Sequence, residues 1–93
     1  MSLPIGTVTV ATPGTRVQVV PSGNAVTAVS FRARTTNAGA AFVGDSTVSS
    51  SAGYRLEPGE ELTISFREPV DLRRFHVDAE TADDRVDYAG VSA

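Results

Sequence analysis

The chain has 93 residues, eight basic and eleven acidic side chains for a formal net charge of −3, and a hydrophobic share of 41%. That length leaves room for one modest core and no second domain. With no cysteine, disulfides, thiolate metal sites and thiol nucleophiles are excluded, and the longest apolar runs are far short of a membrane-spanning helix. All eight cations are arginine, there is no basic run and the net charge is negative, which argues against nucleic acid as a partner. The opening Met1-Ser2-Leu3-Pro4-Ile5-Gly6 lacks both the basic flank and the apolar stretch of a secretion signal.

In chain order, β-branched residues recur in short alternating bursts separated by Gly, Pro, Asn and Asp, the signature of an all-β domain. Thr7 to Ala11 places Val8 and Val10 on one face. Thr12-Pro13-Gly14 ends that burst with turn chemistry, and Thr15 to Val20 follows as a second strand with Val17 and Val19 inward, the two forming a predicted hairpin. After Pro21 to Asn24, Ala25 to Ala33 is the longest strand of the reading, apolar on both faces in its first half and therefore central. It sets Thr27, Val29, Phe31 and Ala33 against Val26, Ala28, Ser30 and Arg32. Ala40 to Gly44 supplies a short strand with Phe42 and Val43, and Asp45 to Gly53 reads as a loop with Val48 dipped into the core. Tyr54 and Leu56 form an anchor pair before a Pro58-Gly59 corner, and Leu62, Ile64 and Phe66 then alternate without error against Thr63, Ser65 and Arg67. Glu68 to Asp71 is expected to break that strand. Leu72 to Val77 resumes with Phe75 and Val77 inward and Arg74 and His76 facing solvent. An acidic turn over 78–84, in which Ala79 to Asp84 is the one candidate for a single helical turn, leads to a closing strand from Arg85 to Ala89. The fold class is all-β: an antiparallel β-sandwich or jelly-roll-like barrel of seven to eight short strands with almost no helix.

Catalytic chemistry finds little support in these residues. His76 is the only histidine, and no serine sits in a Gly-x-Ser-x-Gly turn beside which it would serve as base. Asp78, Glu80, Asp83, Asp84 and Asp87 cluster in sequence without the spacing of a calcium loop, so a solvated charged segment is preferred and no metal or cofactor is expected. Glu57, Glu60 and Glu61 share one turn rather than facing each other across a cleft, as glycoside hydrolysis requires. The aromatics fall mostly on inward positions.

Asn37-Ala38-Gly39, Phe42-Val43-Gly44, Val48, the run Gly53-Tyr54-Arg55-Leu56-Glu57-Pro58-Gly59-Glu60, Phe75-His76-Val77-Asp78-Ala79 and Val86-Asp87-Tyr88 together resemble small all-β virion proteins of tailed bacteriophages. Those proteins decorate or cement capsids, or adapt fibres to the particle. The resemblance implies a non-enzymatic structural part located on the capsid surface. Its partners would be the major capsid protein and other copies of itself in a homo-oligomer, with a trimer favoured. Residues 1–6 are expected to form an N-terminal arm and 7–93 the single sandwich domain. Leu3, Pro4 and Ile5 of that arm, with Arg32, Arg34, Arg73 and Arg74, are the expected interface residues, because arginine suits planar paired contacts across protein surfaces. A tail or fibre adaptor is the alternative placement. A carbohydrate-binding module using Tyr54 and the 45–53 loop is the alternative from another class.

Overall fold

The computed structural model describes residues 4–19 and 25–92. Eight strands form: β1 (Ile5–Val10), β2 (Val17–Gln18), β3 (Ala25–Ala33), β4 (Ala41–Gly44), β5 (Tyr54–Leu56), β6 (Glu61–Asp71), β7 (His76–Ala79) and β8 (Asp84–Ser92). They make two four-stranded antiparallel sheets, in the orders β1-β8-β3-β6 and β2-β7-β4-β5. The pairings of β1 with β8, β2 with β7, β3 with β6 and β4 with β5 describe a long antiparallel ribbon folded over on itself. That is the strand order of a jelly roll.

β3 occupies the span expected of it and is central, hydrogen-bonded to β6 on one side and β8 on the other. Its inner face carries Val29, Phe31 and Ala33, all buried. Val26, expected on the opposite face, is instead wholly buried, because a bulge between Val26 and Ala28 adds one residue and flips the register. On the partner strand the same irregularity spans Phe66 to Pro69, with Ser65 opposite Ala28 and Val70 opposite Val26. The expected break at Glu68-Pro69 is therefore a bulge within β6, which is an edge strand and so tolerates a proline that cannot donate to a ladder.

The predicted hairpin between the first two strands does not form. β1 and β2 lie in different sheets. Thr12 to Thr15 makes the expected turn, with Thr15 N–H donating to the Thr12 carbonyl at 3.0 Å and Gly14 at φ +87°. Pro at the second position and a positive-φ Gly at the third define a type II turn, whose twist splays strands instead of pairing them. The Glu57-Pro58-Gly59-Glu60 corner repeats this geometry, with Gly59 at φ +89° and Glu60 N–H on the Glu57 carbonyl at 2.9 Å. It too hands the chain from one sheet to the other.

Further differences have equally local causes. Leu72–Arg74 is a short 3-10 helix rather than strand, capped by Asp71, which accepts the Arg73 N–H, while fully buried Leu72 anchors it. The 78–84 segment contains no helix. Val48 is buried, though not in the inter-sheet core: it packs with Ala40 and Phe42 in a separate cluster. Phe42 pairs with Asp78, and its neighbours Ala41 and Val43 belong to the main core, so Phe42 points to the outer side of its sheet. The 45–53 loop folds over that outer side, and the Arg55 guanidinium lies 5.7 Å from the centre of the Phe42 ring.

Candidate interaction site

β5 and β6 are the edge strands of the two sheets on one side of the sandwich, joined at the Pro58-Gly59 corner. β5 has only three residues against eleven in β6, so away from the corner no described strand of the other sheet lies opposite β6. The result is a groove of about 290 Å³ lined by Val43, Gly44, Asp45, Tyr54, Ile64, Val70, Arg74 and Phe75. Phe75 connects it to the interior, its ring 5.4 Å from Phe31 and 5.8 Å from Phe66. Tyr54 pairs with Val43 and so shares its inner side, yet it is 64% exposed. The expected anchor pair is thus half realised: Leu56 is buried, and Tyr54 flanks an open mouth.

The structure distributes the expected interface residues over three places. Leu3 lies outside the described residues. The carbonyl of half-buried Pro4 accepts the Gly90 N–H at 2.8 Å. Ile5 and Gly6 already belong to β1, opposite Ala89 and Tyr88, so the last two residues of the predicted arm are sheet. Ile5 is 69% exposed on the outer face of the β1-β8-β3-β6 sheet, beside exposed Val91. Arg32 shares that face through its pairing with Asp87. Arg34 closes the face with an ion pair to Asp87 at 3.1 Å, and its guanidinium also donates to the Thr7 hydroxyl. Arg73 is engaged by Asp71 at 3.0 Å on its own turn. Arg74 lines the groove and makes no hydrogen bond or ion pair among the described residues.

Sequence reasoning named Tyr54 and Arg74 separately and did not join them, nor did it place Ile64, Val70 and Phe75 around an opening. The signal lies in the unequal lengths of β5 and β6, which apolar alternation does not report. His76 differs from the expectation of a solvated side chain. It is half-buried, and its Nδ1 is enclosed without a hydrogen-bond partner. Among the described residues no carboxylate hydrogen-bonds to it, as orienting a general base requires.

The acidic segment is occupied by the fold itself. Buried Asp84 accepts the backbone N–H groups of Ala38 and Gly39 at 3.0 and 2.9 Å, and buried Asp78 accepts those of Gly14 and Ala79. Glu80 accepts from Ala40 and contacts Arg55. Asn37 adds a reciprocal pair to the main chain of Arg85, both bonds at 2.8 Å. Among the described residues, no group of three or more acids and histidines is arranged to hold a metal ion.

Three carboxyls sit below their ordinary range. The Thr47 hydroxyl and amide hold Asp45 down, the Ala40 amide and then Arg55 hold Glu80 down, and hydrogen bonds from Arg34 and Thr7 hold Asp87 down. Near and below pH 4 the unfolded chain therefore binds more protons than the folded one, so stability rises with pH there. The contribution of these groups is full above the ordinary carboxylate range and is lost as pH falls through the lowered values. The urea midpoint is expected to be flat from pH 8 to 5 and to drop by pH 3, with a smaller drop in Glu80→Gln. A midpoint unchanged at pH 3 would contradict this assignment.

Strand order and edge geometry define the protein as an antiparallel β-sandwich of jelly-roll topology with an apolar seam on one side. A scan against family models, a search of curated proteins and a search of solved structures find no match.

Proposed function

We propose that the protein is a non-enzymatic structural component that works by burying surface against other copies of itself and a larger shell, as a capsid decoration or cement protein does. The observation that carries this reading is the outer face of the β1-β8-β3-β6 sheet. Cross-strand pairing sets Ile5 beside Ala89 and Ser30, and Val91 beside Ala28, a low apolar area edged by Arg32, Arg34 and Asp87. An apolar end of the face beside a charged row of Asp87, Arg32 and Glu61 supplies both kinds of contact that protein interfaces use. The molecule measures 34 × 24 × 20 Å, so its broad face is on the scale of the ~800 Å² per partner that a stable contact buries. The ion pairs and carboxylate bonds around it hold turns together and present no aligned reacting groups. Jelly rolls serve as capsid and lectin domains alike, so the topology favours binding without choosing the partner.

Sedimentation at about 20 μM is expected to give a homo-oligomer, with a trimer as the expected species. The double variant Ile5→Glu, Val91→Glu is expected to give a monomer with an unchanged far-UV circular dichroism spectrum. A monomeric wild type would overturn the reading. The carbohydrate reading draws on the exposure of Tyr54. Its groove, however, is floored by Val43, Ile64, Val70 and Phe75, an apolar floor that offers sugar hydroxyls no hydrogen-bonding side chain. Binding on a glycan array that disappears in Tyr54→Ala would revive it.

A further inference from the structure

We propose that the seam between β5 and β6 is a docking site for the C-terminal residue of an extended partner peptide, its apolar side chain seated in the groove and its carboxylate on Arg74. Size, charge and strand direction each support this occupant.

The groove of about 290 Å³ corresponds to roughly ten waters of liquid volume. It sits at the lower limit of small-molecule sites, which suits one side chain better than a cofactor. Its floor of Val43, Ile64, Val70 and Phe75 offers no hydrogen-bonding side chain, so the inserted group is aliphatic or aromatic.

The rim decides the charge. Asp45 Oδ1 accepts the amide and hydroxyl of Thr47; its carboxylate keeps its charge and makes no ion pair with Arg74 among the described residues. Arg74 and the Tyr54 hydroxyl have no partner among the described residues. The donors left over are a guanidinium and a phenol, and at the Arg74 side of the mouth they suit a charged acceptor beside the apolar group. Guanidinium binds a carboxylate through two parallel hydrogen bonds.

Strand direction then selects a C-terminus. Among the described residues β5 is paired only with β4, which leaves its other edge for strand addition, in which main-chain bonds supply affinity and pockets supply specificity. In the antiparallel sense that every strand pair of this fold adopts, an extended peptide added to β5 runs from the Leu56 end toward the Tyr54 end. Its last residue therefore arrives where Tyr54 and Arg74 flank the groove.

This inference rests on the assembly reading for the kind of partner and on the seam alone for its chemistry. The test is a titration of the 15N-labelled full chain, followed by amide NMR, with the pentapeptide Ser-Thr-Val-Thr-Leu as the free acid, as its C-terminal amide, and with 4-methylpentanoate as a free small acid. The free-acid peptide is expected to shift the amides of Gly44, Asp45, Tyr54, Ile64 and Val70. Amidation is expected to weaken binding at least about tenfold, the loss of one charge-assisted pair. Arg74→Gln, at an exposed position, is expected to weaken the acid peptide to the same degree and leave the amide unaffected.

Equal binding of acid and amide, shifts confined to the outer face of the other sheet, or no shift at millimolar peptide would overturn the proposal. So would 4-methylpentanoate binding as tightly as the peptide, since that would make the seam a small-acid site. A peptide that fails while the protein sediments as an oligomer removes the seam and leaves the assembly reading standing. A monomer that still binds the peptide retires assembly alone.

Discussion

Phe31→Ala is expected to destabilise the protein by about 3–5 kcal/mol, the largest effect expected of any single truncation in the core. Phe31 is fully buried on the central strand β3, opposite Leu62 on one neighbour and Tyr88 on the other. Its ring is tilted 55° against Phe75 at 5.4 Å, an arrangement that adds to area burial. A chain of this length has roughly 5–14 kcal/mol of stability in total, so the truncation removes a large share of it. Urea unfolding should show a much lower midpoint with an unchanged slope, and the thermal midpoint should fall by roughly 4–8 °C for each kcal/mol lost. A cost below about 1 kcal/mol would mean that the two sheets do not pack through this residue.

Asp84→Ala is expected to cost about 2–3 kcal/mol, more than the usual loss of a surface acid. Asp84 is 5% exposed, and each of its oxygens holds one backbone amide of the turn before β4. Removal leaves both donors without their acceptor in a part-buried setting. Asp84→Asn keeps one acceptor oxygen and should cost about half as much. The effect should be local as well as global: amide exchange at Ala38 and Gly39 should accelerate ahead of exchange in β3. Uniform acceleration across the chain would show that the carboxylate does not act as a clamp on this turn.

The sequence made the strands visible and concealed what holds them together. Ala25 to Ala33 was legible from end to end because alternation and a two-faced apolar start both report a central strand. The Pro13-Gly14 and Pro58-Gly59 corners were equally legible, since a fixed proline φ followed by a positive-φ glycine leaves one turn type. The sheet each strand joins was not legible. The same Pro13-Gly14 signal fits a hairpin or a crossover, and the type II geometry with β8 waiting for β1 settled it. The bulge that turns Val26 inward has no local marker, because Thr27 is an ordinary strand residue.

The roles of the acids were hidden for a related reason. Asp78 and Asp84 look like members of a solvated charged run until backbone amides from 14 and from 38–39 arrive beside them. These contacts span 45 to 64 positions of sequence. The candidate site was legible only in fragments, as Tyr54 and Arg74 singly, because the opening arises from the mismatch in length between β5 and β6.

Image reconstruction of virus particles purified from cells that make the protein tests the proposed role most directly. Copies repeated across the shell at junctions between major capsid subunits are expected, with the outer face of the β1-β8-β3-β6 sheet turned toward a neighbour. Density confined to the tail, or particles with no copy of the protein, would contradict the proposal.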